Sequence, residues 1–169
     1  MDKSVILIGM PGVGKSTVGV VLAKRLGYNF VDADIVIQKR EGRLLKDIIA
    51  TDGINTFIEI ENAANLSIEL SKNVIATGGS AIYCKEAMER YFENAIVVYL
   101  KIDMEELLVR LGSLDERGVV IKDGQTFEKL YEERCALYEK YAHVTLEVKG
   151  LSLRETAEKL DKIIDTFRL

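Results

Sequence analysis

The first apolar run of the chain breaks into a glycine-rich loop, and this junction restricts the possible folds more than any other stretch. Residues 5–17 read VILIGMPGVGKST. Gly9, Gly14, Lys15 and Ser16 occupy every fixed position of the phosphate-binding loop pattern Gly-x-x-x-x-Gly-Lys-Ser/Thr. Apolar residues then follow at helical spacing: Val18, Val21, Leu22 and Leu26. A buried strand, this loop and a helix, in that order, predict a nucleotide-binding α/β fold.

The residue types in the loop suit the binding of a nucleoside triphosphate. Glycines let backbone N–H groups surround an anion, and the N-terminus of the following helix adds a positive dipole end. Lys15 can reach the β- and γ-phosphates, and the Ser16 hydroxyl can hold Mg²⁺. The alternative is a plain glycine turn between a strand and a helix. We expect the nucleotide to contact these residues: Gly12, Val13, Gly14, Lys15, Ser16 and Thr17.

The rest of the chain alternates short apolar strands with helices, which predicts a parallel sheet covered by helices on both faces. The expected architecture is a three-layer α/β/α fold with five strands and a lid. We place the strands at residues 5–8, 28–31, 74–76, 95–100 and 143–148. We expect residues 1–169 to form one domain, with an acceptor-binding region at about 33–62 and a lid at about 112–125.

The composition narrows the possible partners. The formal net charge is −4 and the pI is near 5.2, which argues against a general nucleic-acid or membrane-surface binder. The first apolar run is too short for a signal peptide or a membrane span. Two cysteines, Cys84 and Cys135, make no disulfide framework. We therefore expect a cytoplasmic protein, and we expect it to be a monomer.

Polar residues follow the predicted second and third strands, at the sheet edge where such folds bind ligands. Asp32, near Ser16, is a candidate Mg²⁺ ligand, directly or through water, and Asp34 is a candidate base for an acceptor hydroxyl. The alternative is that these aspartates only cap a helix. Gly78 and Gly79 would let a substrate approach the backbone, or would simply connect a strand to a helix.

Three arginines in the second half are candidates to neutralise a phosphoryl group during transfer. Arg110 lies near a helix end, Arg117 in the long polar loop and Arg134 in the next helix. Arg117 is the best lid residue, because a loop can bring it in while excluding water. The alternative for a loop arginine is a solvated surface charge.

Taken together, these segments resemble the shikimate kinase family over nearly the whole chain. The matching stretches are GMPGVGKST, FVDADIVIQKREGR, ATDG followed by F-x-x-x-E, ATGGSA, VVYL, ERGVV and EERCALYEKYA. The resemblance implies that Lys15 and Ser16 serve ATP and Mg²⁺, that Asp32 serves the metal, and that Asp34 contacts the acceptor hydroxyl. It implies further that Gly78 and Gly79 line the acceptor pocket, Arg110 stacks near adenine, Arg117 belongs to the lid and Arg134 meets the acceptor carboxylate.

The chain departs from the family pattern at three places. Ile58 stands where the family usually has an arginine that contacts shikimate's carboxylate, Ser80 replaces the third glycine, and the lid reads Arg117-Gly118-Val119-Val120. The resemblance implies ATP-dependent phosphorylation of a small hydroxylated carboxylic acid, shikimate first. Two alternatives stay open: a kinase for another polyol or sugar acid, suggested by Ile58, and a nucleotide-binding regulator with little turnover.

Overall fold

The structure, a computed structural model, describes residues 3–112 and 124–167. Its centre is a five-stranded parallel sheet with the strand order β2-β3-β1-β4-β5 within these residues. The strands are β1 (Val5–Ile8), β2 (Asn29–Asp32), β3 (Asn73–Ala76), β4 (Ile96–Lys101) and β5 (Val144–Glu147). In the register of the sheet, Val5 lies between Val74 and Ile96. The predicted α/β fold with five parallel strands is thus confirmed.

The central strand explains why the first apolar run is continuous. All four residues of β1 have no exposed surface, and consecutive side chains of a strand point to opposite faces. Both faces of the sheet are therefore covered, as in other parallel sheets. The edge strand β5 instead alternates between half-buried and exposed residues. The observed strand ends lie within one residue of the predicted ends, and β2 and β4 each begin and end one residue later than predicted.

Eight α-helices surround the sheet in the described part of the chain. They are α1 (Lys15–Leu26), α2 (Ala33–Glu41), α3 (Leu45–Asp52), α4 (Ile54–Ser67), α5 (Lys85–Asn94), α6 (Met104–Leu111), α7 (Phe127–Tyr141) and α8 (Leu153–Thr166). The sequence Ser152-x-x-Glu155 predicts a capping box, and helix α8 opens with it. The Ser152 hydroxyl accepts from the Glu155 amide, and the Glu155 carboxylate accepts from the Ser152 amide. Helices α1 and α8 pack against each other, and α4 packs on α5.

The helices α2, α3 and α4 carry a second, smaller apolar cluster apart from the main core. Its buried members are Ile37, Ile48, Phe57 and Ala64. Apolar residues at helical spacing predict a helix from Phe57 to Leu70. The observed helix α4 begins three residues earlier, at Ile54, because Gly53 (φ 82°, ψ 170°) ends α3 and a new helix starts directly after it. The turn at Gly53 changes the direction of the chain between α3 and α4, so that the apolar side of α3 packs beside Phe57 of α4. Helices α2, α3 and α4 together form one wall of a cleft at the carboxyl ends of the strands.

Within residues 3–112 and 124–167, every helix is too short or too polar to cross a bilayer.

Candidate active site

The backbone of the glycine-rich loop holds the side chain of Lys15 by hydrogen bonds. Gly14 caps the N-terminus of α1 with φ 102°, and a Cβ there would lie 2.6 Å from Cδ2 of Leu153. Only glycine fits this backbone conformation and this close approach without strain. Lys15 Nζ donates hydrogen bonds to the carbonyls of Gly9 (2.7 Å) and Met10 (2.9 Å). The amine is therefore held over the loop, where the phosphates of a nucleotide would lie.

The Lys15 ammonium lies in a site that disfavours its charge. Burial lowers its pKa to about 8, Asp34 opposes this shift and Arg134 adds to it. An anion bound in the loop would restore the preference for the charged form, because an opposite charge within a few ångströms stabilises it. The position of the amine over the loop therefore suits the binding of a negatively charged ligand.

The two carboxylate oxygens of Asp32 accept hydrogen bonds from different partners. One carboxylate oxygen, Oδ1, caps α2 by accepting from the amides of Asp34 (2.9 Å) and Ile35 (3.4 Å). The other, Oδ2, accepts from the Ser16 hydroxyl at 2.9 Å. The two interpretations made from the sequence, helix cap and partner of Ser16, are therefore compatible.

The donor set of Ser16 and Asp32 fits Mg²⁺, which prefers hard oxygen ligands and is usually held by one or two carboxylates plus substrate phosphates. Among the residues that the structure describes, no group of three or more His, Cys, Asp and Glu side chains could form a metal cage. A Mg²⁺ ion at this site would consequently need the phosphates of the nucleotide as additional ligands. That Ser16 and Asp32 bind the metal stays a prediction.

Asp34 lies at the start of α2 and lines the cleft. Burial raises the pKa of its carboxyl, and the neighbouring Asp32 adds to the shift, while Lys15 opposes it. A carboxylate whose proton affinity is raised in this way is better suited to accept a proton from a hydroxyl group. This environment is what a general base needs.

The cleft itself has a volume of about 580 Å³ and lies between the phosphate loop, the α2–α4 wall, the loop after β3 and α7. It brings together predicted site residues from four separate stretches: Gly12, Gly14, Lys15, Ser16, Thr17, Asp34, Gly78, Gly79 and Arg134. Gln38, Lys46 and Ser80 also line the cleft. Gln38 and Lys46 were not among the candidates named from the sequence, and Ser80 was named only as a departure from the family pattern. Their only signal in the sequence is their position near the predicted acceptor-binding region and the glycine pair.

The loop after β3 is packed tightly between the phosphate loop and α7. A Cβ on Gly79 would lie 2.6 Å from Pro11 Cδ and 3.0 Å from Arg134 Nη1. The Tyr138 hydroxyl donates to the Gly79 carbonyl at 2.6 Å. This contact between two loops and a helix leaves no room for a larger residue at position 79, and it explains the second glycine of the pair.

Arg134 of α7 is a second buried cation of the cleft, besides Lys15. Its side chain is 2% exposed, lines the cleft, and places its guanidinium carbon 5.7 Å from the centre of the Tyr83 ring. A buried arginine facing a cleft is a strong site for a carboxylate, because both partners are shielded from water. The predicted contact between Arg134 and an acceptor carboxylate fits this position and stays a prediction.

Glu61 is a buried carboxyl that the sequence analysis did not identify as a site residue. It lies on α4 with no exposed surface, and its Oε2 accepts from the Ser80 hydroxyl at 2.7 Å. Burial raises its pKa to about 7; the Ser80 hydrogen bond opposes this shift and the charge of Asp34 adds to it. Two signals were available in the sequence. Glu61 is the last residue of the F-x-x-x-E stretch that matches the family pattern, and it follows the buried Phe57 by four residues on the same face of α4.

Arg110 and Ile58, two further residues singled out from the sequence, are not among the residues that line the cleft. Arg110 Nη1 donates to the Val13 carbonyl at 3.2 Å, and Arg110 pairs with Glu106, so it lies beside the phosphate loop. Ile58 lines a small cavity of about 30 Å³ together with Ser80 and Arg134. Arg117 and its neighbours, including most of the predicted lid, lie outside the described residues.

Comparison with known proteins gives a consistent result. A family model for shikimate kinase matches residues 11–165. The chain is 35% identical to the shikimate kinase of Persephonella marina, with 89% of this chain and 92% of that protein covered. It is 33% identical to that of Thermodesulfovibrio yellowstonii, with coverages of 95% and 94%.

Among solved structures, the chain is similar to shikimate kinase from Acinetobacter baumannii in complex with shikimate. The TM-score is 0.88 at 31% identity, and the match covers 99% of this chain and 95% of that one. The family match includes the phosphate loop from residue 11 onward, the aspartates at the end of β2, the glycines after β3 and Arg134 of α7. The chain belongs to the shikimate kinase family and is an ATP-dependent kinase.

Proposed function

We propose that the protein transfers the γ-phosphoryl group of ATP to a hydroxyl of shikimate. The observation that carries this proposal is the shared cleft, in which Lys15 lies in the phosphate loop while Asp34 and Arg134 line the acceptor side. A cation for the nucleotide phosphates, a carboxylate for a hydroxyl and a buried arginine for a carboxylate are the groups that this reaction requires. The similarity to a shikimate kinase that binds shikimate supports the choice of acceptor.

The residues of the phosphate loop bind the phosphoryl donor. In our proposal the backbone from Gly12 to Thr17 surrounds the phosphates, and the Lys15 ammonium neutralises the β- and γ-phosphates. Ser16 and Asp32 would hold Mg²⁺, which supplies positive charge to the phosphate oxygens when it is bound. Arg110, beside Val13, would stack near the adenine.

Asp34 and Arg134 act on the acceptor. Asp34 accepts the proton of the acceptor hydroxyl as the new oxygen–phosphorus bond forms and the bond from the γ-phosphorus to ADP breaks. Arg134 binds the acceptor carboxylate, and the backbone at Gly78 and Gly79 lines the acceptor pocket. Arg117 would enter from the lid to neutralise the phosphoryl group in transit. The positions of the described residues and the family pattern support these roles.

We also propose that the chain works as one kinase domain, with an acceptor-binding region at about residues 33–62 and a lid at about 112–125. The small apolar cluster of α2, α3 and α4 falls largely within the first region and gives it packing of its own. We propose a monomer in the cytoplasm. The free thiols of Cys84 and Cys135 fit a reducing compartment.

The direct test is an assay of ADP release with ATP, Mg²⁺ and shikimate, combined with mass detection of phosphorylated shikimate. We expect ADP release that depends on both Mg²⁺ and shikimate. Replacing Asp34 by Asn should lower kcat by about 10²–10⁴-fold, the usual contribution of a general base. ADP release no higher with shikimate than without it would rule out this acceptor, and full activity of the Asn variant would rule out the role of Asp34.

Ile58 supports a second candidate, a kinase of the same class for another polyol or sugar acid. Ile58 lies beside Ser80 and Arg134, at a place where the family usually supplies another arginine. Charge-assisted hydrogen bonds to a carboxylate contribute about 1.5–3 kcal/mol each, so their loss weakens binding of shikimate by about tenfold or more. If the acceptor is shikimate, Ile58→Arg should lower its KM. An unchanged KM, with a better rate on a different hydroxy acid, would favour the second candidate.

A further inference from the structure

A buried carboxyl lies directly behind the acceptor side of the cleft and has no place in the reaction described so far. Glu61 has no exposed surface, and its Oε2 is occupied by the Ser80 hydroxyl. Its other oxygen, Oε1, is buried without a hydrogen-bond partner among the described residues. A buried, unsatisfied carboxylate oxygen is costly, whereas a protonated carboxyl carries no net charge to desolvate.

Glu61 Oε1 lies close to Gly78, which lines the cleft. A Cβ on Gly78 would lie 2.8 Å from Glu61 Oε1 and 2.9 Å from Asp34 Oδ1. The two carboxyls therefore approach the same side of Gly78, one from α4 and one from α2. Both distances run to the same point, so the two oxygens lie within about 6 Å of each other. Two negative charges this close in a buried site repel each other, which favours a proton on one of them.

The charged and titratable groups that interact with Glu61 lie on several different elements. They are Asp34 of α2, Lys15 of α1, Arg134 of α7, Cys84 after the turn that follows β3, and Tyr91 of α5. The two cations attract a negative charge on Glu61, but both also belong to the ligand sites: Lys15 for phosphate and Arg134 for the acceptor. An ionised Glu61 would therefore compete with the ligands for these cations.

We propose that Glu61 is a positioning residue of the acceptor site that works in its protonated form, with Ser80 as its fixed hydrogen-bond partner. In this form Glu61 holds the loop after β3 through Ser80 and does not compete for the charge of Arg134, which then serves the acceptor carboxylate. When Glu61 ionises, it adds a negative charge beside Asp34 and opposes the binding of an anionic acceptor. This inference rests on the proposed function, because it assumes that the acceptor carries a carboxylate.

The pKa of Glu61 lies within the pH range of a binding or activity measurement. Burial raises its pKa to about 7, and the hydrogen bond from Ser80 opposes that shift. An anionic acceptor raises the pKa further, so its binding near neutral pH must take up protons. Removing the Ser80 hydroxyl takes away a group that stabilises the ionised form, and proton uptake should then move to higher pH.

The test measures shikimate binding by titration calorimetry at about pH 7.5 in two buffers with different ionisation enthalpies. The wild-type protein should take up a fraction of a proton, Glu61→Gln should take up clearly less, and Ser80→Ala should shift the uptake to higher pH. In parallel, the wild-type KM for shikimate should rise about sixfold from about pH 6.5 to about pH 8.5 if the acceptor raises the pKa of Glu61 by about one unit. Glu61→Gln should flatten this rise while keeping the low KM.

The matched control is Glu59→Gln, which removes a carboxyl from an exposed position of the same helix. It should behave as the wild type in both measurements. If shikimate neither binds to nor is phosphorylated by the wild type, the proposed function fails. If shikimate is a substrate but Glu61→Gln shows the wild-type proton uptake and pH profile, or loses affinity at every pH, then Glu61 does not work in its protonated form.

Discussion

Replacing Glu61 by Gln should change the pH dependence of folding stability in a direction that the structure determines. The pKa of Glu61 rises from 4.5 to about 7 because of burial, so the folded protein keeps a proton that the unfolded chain releases between these values. Its contribution to stability is fully present below about pH 4.5 and is lost as the pH rises through about 7. The amide introduced by Glu61→Gln would keep an acceptor for Ser80 and would not titrate.

The size of the change in the free energy of unfolding follows from the pKa shift of Glu61. A change of about 2.5 pKa units at about 1.4 kcal/mol per unit corresponds to about 3 kcal/mol, an upper value because the site can relax. The Glu61→Gln variant should therefore gain up to about 3 kcal/mol relative to the wild type between pH 5 and pH 8. For a chain of this length that corresponds to about 6–12 °C in Tm.

Urea unfolding followed by far-UV circular dichroism is the suitable assay, because the chain contains no tryptophan for fluorescence. The free energies of unfolding of the wild type, Glu61→Gln and Glu59→Gln should be compared at pH 5 and pH 8. Glu59→Gln should have the same free energy of unfolding as the wild type at both pH values, because the substitution lies at an exposed position. A difference between the wild type and Glu61→Gln that stays constant with pH, or that grows toward acid, would refute the argument from burial.

Three further changes test the geometry of the cleft. Gly78→Ala should lower kcat/KM at least about tenfold with little change in the circular dichroism spectrum, because its Cβ would meet the carboxyls of Asp34 and Glu61; normal kinetics would contradict the close approach. Arg134→Met should raise the KM for shikimate about 10–100-fold, the loss of a charge-assisted contact, and should spare the KM for ATP; an equal effect on both would point to a general loss of structure. Ser16→Ala should raise the Mg²⁺ concentration needed for half-maximal rate, measured by Mg²⁺ titration at constant ATP; an unchanged requirement would exclude the hydroxyl as a metal ligand.

Much of the fold could be predicted from the sequence because its signals are local. The continuous apolar run of β1, the glycines of the loop and the lysine that opens α1 lie within a dozen residues. The phosphate loop needs only this short segment to define its backbone, because glycine spacing and the helix start determine where the amides point. The capping box at Ser152 was predictable for the same reason.

The start of helix α4 differs from the predicted start, and the cause is equally local. Helix α4 starts at Ile54 because Gly53 adopts a conformation that ends one helix and begins the next. The pattern of apolar residues from Phe57 onward marks only the part of α4 that faces the core, since a first helical turn can be exposed without losing its helical hydrogen bonds. Sequence periodicity thus detects burial more reliably than it detects the end of a helix.

The acceptor side shows what local signals do not contain. Glu61 meets Ser80 across 19 residues, and Arg134 approaches Gly79 across 55, through the packing of α4 and α7 around one loop. Lys46 lines the same cleft because α3 turns back after α2. Such neighbours depend on how whole elements pack, and a single sequence gives no measure of the distances between them.

By itself, the sequence determined the α/β sheet, the phosphate loop and the residues that would serve the nucleotide, because short spacings control local backbone geometry and the order of elements. The tertiary structure alone decided which charges share the cleft and how deeply each is buried. That burial raises the pKa of Glu61 to about 7, and the packing of α1 beside β2 lets the Asp32 carboxylate accept from Ser16 while it caps α2. The physical reason is that desolvation and charge–charge interactions depend on three-dimensional distance, whereas the motif depends on distance along the chain.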